Sequence, residues 1–204
     1  MTEPRCSRSS TSRKRRLGSA RRFAIGALLA ALALLTEPSD ARAITPLFAA
    51  PKTPTPSGPR AIAAADFDND GVLDAVVAAN STNDLTVLIG NGDGTFTTAT
   101  PLDAFALPID VATGDFDGDG NADIASAVAA LGFVAVWLGN GDGSFQTLIP
   151  ITGLSGIVTV KSGDVDGDGA DDIVASVVVG GGVEVLAFRW NGSSAFQSSG
   201  GLAS

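Results

Sequence analysis

Residues 115–123 read Asp115-Phe116-Asp117-Gly118-Asp119-Gly120-Asn121-Ala122-Asp123. The pattern occurs twice more, as Asp66-Phe67-Asp68-Asn69-Asp70-Gly71-Val72-Leu73-Asp74 and as Asp164-Val165-Asp166-Gly167-Asp168-Gly169-Ala170-Asp171-Asp172. Successive copies start 49 residues apart, and each carries Asp at positions 1, 3, 5 and 9 and Gly at position 6. Carboxylates this close repel one another: a pair about 4 Å apart costs about 1–4 kcal/mol at effective dielectrics of about 80–20. A hard divalent cation with oxygen ligands relieves that repulsion.

Calcium fits the pattern best. It accepts six to eight oxygens in flexible geometry from carboxylates, backbone carbonyls and water, whereas magnesium demands a stricter octahedron and keeps more water. Zinc wants His or Cys; the sequence has no His, and its one Cys is Cys6. Gly at position 6 permits the backbone reversal that turns alternate Asp side chains toward one centre. The carbonyl of position 7 supplies a further oxygen, and the Asp at position 9 closes the shell. Three calcium ions are therefore expected. The ligand sets are Asp66, Asp68, Asp70, Val72 and Asp74; Asp115, Asp117, Asp119, Asn121 and Asp123; and Asp164, Asp166, Asp168, Ala170 and Asp172. An EF-hand is excluded, because it needs Glu at position 12 and flanking helices. Position 12 is Val77, Ser126 and Ala175. Asp, Asn and Gly are also ordinary turn residues, but three copies in identical register are more than turn composition requires.

The flanks are short and apolar, rich in Ala and β-branched residues, and read as strands. One strand enters each loop (62–65, 109–113, 157–161), a second leaves it (75–79, 124–129, 173–179) and a third follows (85–89, 133–138, 183–188). A Gly/Asn turn then leads to a fourth strand expected around Phe96, Phe145 and Phe196. Asp93 and Asp142 in those turns read as turn residues, and Trp137 and Trp190 as aromatics that pack between sheets. Four strands per 49-residue unit match the period of a propeller blade. The fold expected is all-β, of β-propeller type, with about three four-stranded antiparallel blades in an incomplete or open propeller.

The Asp-x-Asp-x-Asp-Gly-x-x-Asp loops between such strands resemble the FG-GAP/VCBS-type repeat, the blade unit of integrin-α-like β-propellers. The likeness covers about residues 61–198 and rests on the three loops. The Phe-Gly and Gly-Ala-Pro words of the family name are missing, so the chain looks closer to degenerate bacterial members. The resemblance implies that the loops bind calcium. It also implies that the module serves adhesion or recognition of proteins or glycans, on a face away from those loops.

The first 43 residues read as a signal peptide. Eight Arg and Lys between Arg5 and Arg22 precede the apolar run Phe23–Leu35, and Ala41-Arg42-Ala43 provides a cleavage site. The run is too short for a membrane span. The expected layout is a signal peptide over 1–43, a Pro-rich lead-in over 44–60, and three repeats over 61–204 (about 61–100, 109–149 and 157–198). The lead-in includes a blade-completing strand around Phe48. The expected location is extracellular or periplasmic, by a general or a twin-arginine export route. Cleavage leaves 4 basic and 19 acidic residues, a net charge of −15. Such a chain does not favour nucleic acid or anionic lipid.

Without His, and without Cys after the leader, His-based triads and thiol nucleophiles are out of reach. The expected function is non-catalytic binding or adhesion with structural calcium. Two alternatives stay open: an accessory repeat domain of a secreted or surface enzyme, and a carbohydrate-binding lectin. Three blades are too few to close a ring. The chain is therefore expected to be part of a longer propeller or to complete its ring with other copies of itself.

Overall fold

The computed structural model describes residues 57–192 and 195–198. These fall within one compact unit. The expected signal peptide, the lead-in strand around Phe48 and the tail from Ser199 lie outside the described residues.

Thirteen strands and no helix make up the described residues. Blade 1 contains β1 (Pro59–Ala65), β2 (Asp74–Ala79), β3 (Asp84–Gly90) and β4 (Phe96–Thr98), with β5 (Leu102–Asp103) also pairing β3. Blade 2 contains β6 (Pro108–Gly114), β7 (Asp123–Val128), β8 (Phe133–Trp137) and β9 (Ile149–Ile151). Blade 3 contains β10 (Ile157–Gly163), β11 (Asp172–Val179), β12 (Gly182–Trp190) and β13 (Phe196–Ser198). In each sheet the four main strands pair antiparallel in chain order, and no sheet closes into a barrel. This is the open propeller-type arrangement that the repeat predicts.

One strand lies elsewhere than expected. The outer strand of blade 2 is not at Phe145, which makes only an isolated bridge with Gly139; the ladder partner of β8 is Ile149–Ile151. Phe145 instead turns inward and meets Phe67 of blade 1 edge to face, centroids 5.4 Å apart. Its packing value outweighs its pairing value.

The blades are related by the 49-residue period in three dimensions as well. The first strands β1, β6 and β10 lie side by side. The Thr113 hydroxyl on β6 donates to the carbonyl of Ala64 at 3.3 Å, and the Ser162 hydroxyl on β10 donates to the carbonyl of Thr113 at 2.7 Å. Each first strand also shifts register once, skipping Arg60, Ile109 and Val158. These are β-bulges at equivalent positions, a device that bends a strand and increases its twist.

Side chains alternate across each strand, so a central blade has two faces to bury. In β7, Ile124 and Val128 pack toward blade 1, with Phe67, Val76 and Val87. Ala125 and Ala127 pack toward blade 3, with Val160, Ile173 and Ala175. The aromatic at loop position 2 recurs in this scheme. Phe67 meets Phe145 of blade 2, and Phe116 meets Phe196 of blade 3 at 6.4 Å. Burying such a side chain contributes about 1.5–3 kcal/mol.

Candidate metal centres

Each Asp-rich stretch joins the first two strands of a blade: β1 to β2, β6 to β7 and β10 to β11. Positions 1 to 8 form the loop, and position 9 is the first residue of the second strand.

The position-1 carboxylate gathers the loop's own amides. Asp66 accepts from the N–H of Gly71 at 2.8 Å and of Asp70 at 3.2 Å. Asp115 accepts from Gly118, Asp119 and Gly120 at 2.8, 3.1 and 2.9 Å, and Asp164 accepts from Gly167 and Gly169 at 2.6 and 3.1 Å. Position 3 accepts from the amide of position 5, and position 5 from that of position 7. In loop 1 these are Asp68 with Asp70, at 3.3 Å, and Asp70 with Val72, at 2.7 Å. Asp117, Asp119 and Asn121 repeat the arrangement, as do Asp166, Asp168 and Ala170. Such tight wrapping requires left-handed backbone. Position 6 has φ of 85, 89 and 97° at Gly71, Gly120 and Gly169, a region that glycine enters without steric cost. Position 4 is left-handed too, at Asn69, Gly118 and Gly167, which the sequence reading passed over.

Position 9 anchors the loop to the sheet. Asp74 and Asp123 are buried, and each accepts two amide hydrogen bonds. Asp74 takes them from Phe67 and Gly90, and Asp123 from Phe116 and Gly139, all at 2.7 Å. Asp172 is likewise buried and accepts from Val165 at 2.9 Å. This bracket ties loop position 2 to the second strand and, in blades 1 and 2, to the end of the third.

Three carboxylates converge in each loop, each contributing an oxygen within 4.8 Å of the others. They are Asp66, Asp68 and Asp70; Asp115, Asp117 and Asp123; and Asp164, Asp166 and Asp172. Asp74, Asp119 and Asp168 stand outside those tightest groups. Val72, Asn121 and Ala170 occupy position 7 with their N–H groups held by the position-5 carboxylates. Asp115 Oδ1 accepts two amides, but the oxygens of the other loop carboxylates accept at most one each and keep a second lone pair, so the frame leaves donor capacity for a cation. All-oxygen donors suit calcium, whose coordination geometry is flexible.

Electrostatics points the same way. The Asp123 carboxyl is pushed up to about 7, first by burial and then by Asp117 and Asp119, against the two amide hydrogen bonds that lower it. Asp68 and Asp117 are also held above the usual carboxylate range, by desolvation first and by neighbouring loop carboxylates after it. Among the described residues the only basic side chains are Arg60, Lys161 and Arg189. Lys161 pairs with Asp110 at 3.0 Å, and Arg189 with Asp166 of loop 3 at 3.2 Å. Loops 1 and 2 thus have no ion pair among the described residues.

The turn carboxylates differ. Asp93 and Asp142 lie below the usual range because the hydroxyl and N–H of Thr95 and Ser144 bond to them. Trp137 is buried in the core, and Trp190 packs on Phe196 at 5.1 Å. Both are packing aromatics.

The loops also touch one another. Asn69 of loop 1 donates to the Asn121 side chain of loop 2 at 2.9 Å. Asp171 of loop 3 donates its N–H to the carbonyl of Asp115 at 2.7 Å, and its carboxylate accepts from Asp115 N at 3.2 Å. On the inner strands Asp110 is held low. Burial alone would raise it, but Thr159, Lys161 and the amide of Val160, all from blade 3, outweigh burial. A single sequence offers no sign of these contacts, which join residues about 50 positions apart.

Comparison with known proteins gives three results. A chain of the Tc holotoxin pore of Photorhabdus luminescens is similar in structure, with a TM-score of 0.40 and 20% identity, over 67% of this chain and 7% of that chain. The chain therefore spans a small fraction of the length of that relative. No curated protein matches it. The FG-GAP-like repeat family matches residues 66–126 and 127–175. The match takes in all three Asp loops and more than half of the sequence, and the chain belongs to the FG-GAP-like repeat family.

Proposed function

We propose that the chain is an exported, calcium-loaded repeat module that binds a protein or glycan partner and catalyses no reaction of its own. The observation that carries the reading is the convergence of three carboxylates in each of three equivalent loops. In loops 2 and 3, positions 1 and 3 come from the loop and position 9 from the strand it anchors; in loop 1 all three, positions 1, 3 and 5, come from the loop. A calcium ion held among positions 1, 3, 5 and 9 and the position-7 carbonyl would cross-link loop to strand and fix the hairpin. That makes the ion structural. The basic, apolar and Ala-Arg-Ala segments of residues 1–43 support export, with the mature chain beginning at Ile44.

The partner surface we favour lies at the blade ends away from the calcium loops. There Phe105 and Leu107 are exposed with φ of 63 and 26°, and Leu131 is exposed in the β7–β8 turn. Exposed apolar side chains on strained backbone are a mark of binding sites.

Calcium removal tests the reading. Extracellular modules bind calcium with Kd of about 10⁻⁴–10⁻³ M. At millimolar calcium a site of Kd about 10⁻⁴ M contributes about 1.4 kcal/mol, and three contribute about 4 kcal/mol. A chelator is expected to lower the melting temperature markedly, and Asp119→Ala to remove one equivalent of bound calcium. A melting curve indifferent to chelator would end the structural-calcium reading.

A further inference from the structure

We infer that Asp171, outside the proposed ligand sets, couples the calcium site of loop 3 to that of loop 2, so that filling one raises the affinity of the other. The inference rests on the calcium reading above.

The argument starts from Asp115, the position-1 residue of loop 2, whose carboxylate organises that loop through three amide hydrogen bonds. Its backbone is gripped from the next blade by one residue. Asp171 donates to its carbonyl and accepts from its N–H. The grip needs space, and Gly114 provides it: a Cβ there would come within 2.6 Å of the Asp171 carboxylate. The other loops carry Leu73 and Ala122 at position 8, whose side chains cannot accept a hydrogen bond. The device therefore joins loop 3 to loop 2.

Asp171 sits between Ala170 and Asp172, both in the proposed ligand set of loop 3. An ion that draws those two inward fixes the backbone of Asp171, and so the position of Asp115. A first ligand held in place before calcium arrives loses less conformational freedom on binding. Linkage makes the effect reciprocal.

The test is a calcium titration of the full chain, following the amide resonances of Gly71, Gly120 and Gly169, one at position 6 of each loop. In Asp171→Ala the calcium midpoint at Gly120 is expected to rise about fivefold or more, the lower end of usual site-to-site coupling, while Gly169 still responds. Asp171→Asn retains an oxygen toward Asp115 and is expected to stay near the unsubstituted chain. Asp168→Asn, which weakens site 3, is expected to raise the Gly120 midpoint in the unsubstituted background and to lose that effect when combined with Asp171→Ala. A Gly120 midpoint unmoved by Asp171→Ala overturns the inference. If Asp171→Ala fails to fold, a Gly120 midpoint unmoved by Asp168→Asn overturns it equally. If none of the three glycines responds to calcium in the unsubstituted chain, the calcium reading itself fails, and the coupling with it.

Discussion

Blade 2 and blade 3 carry the same loop, the same strand order and the same bulge, yet among the described residues only blade 2 is enclosed on both sides. Phe116 at loop position 2 is fully buried against Phe196, whereas Val165 at the same position in blade 3 is 57% exposed. Val134 on β8 is fully buried; Val185, its register equivalent on β12, is 45% exposed. Where blade 2 presents Ala112 and Leu138 to its neighbour, blade 3 has Lys161 and Arg189. Each of these cations pairs with a carboxylate, Asp110 and Asp166 respectively. Repeats of this kind bury their faces on neighbours, and an outer face needs another repeat or polar substitution. The open side of blade 3 is intermediate, a valine surface edged by two paired cations. Burial, not the loop motif, is what distinguishes the two blades.

The sharpest test of that comparison is a matched pair of truncations. Phe116→Ala is expected to cost about 3–5 kcal/mol, the usual range for a buried phenylalanine. Val165→Ala should stay within about 0.5 kcal/mol, as at exposed positions. Urea unfolding of both variants measures the difference. Similar losses would mean that something covers the open side of blade 3 in solution.

A smaller effect is expected where the two blades are joined by charge. Asp110→Asn removes the ion pair with Lys161 and weakens the hydrogen bonds from Thr159 and Val160. Lys161 is well exposed, so solvent screening limits the loss to about 1 kcal/mol. A double-mutant cycle with Lys161→Met isolates the pair, and a coupling of zero would show that it merely decorates the interface.

A separate effect is expected as a pH dependence in blade 2. The folded pKa of Asp123 is raised to about 7, above the usual carboxylate value, so the calcium-free fold holds a proton that the unfolded chain releases. That contribution is fully present at low pH and is lost as pH rises through about 7. Calcium requires the carboxylate form, so proton competition runs the opposite way. The apparent affinity of loop 2 is expected to fall by about tenfold per pH unit below about 7. The Gly120 resonance, titrated with calcium at pH 5.5, 6.5 and 7.5, reads this directly. A midpoint that does not move would place Asp123 in its ionised form throughout.

Much of the molecule was legible in its residues. The 49-residue period, the Asp loops and the second strands after them follow from local chemistry. Left-handed positions call for Gly or Asn, alternate Asp residues wrap one loop, and β-branched runs extend. β2, β7 and β11 begin one residue earlier than expected because the position-9 Asp already pairs across the first hairpin. The misplaced strand at Phe145 has a different cause. Its side chain is committed to Phe67 in another blade, and no pattern within residues 139–151 reveals that.

The sequence by itself therefore determined the repeating unit, its all-β character and the carboxylates of each loop, since these depend on residues within a few positions of one another. The tertiary structure alone decided which aromatic is buried and which valine is bare, that the position-9 Asp brackets two strands, and that Asp171 grips Asp115. Those depend on groups 7 to 80 residues apart in the chain. Only packing of one sheet on the next brings them within reach, because side chains on opposite faces of a strand meet different neighbours.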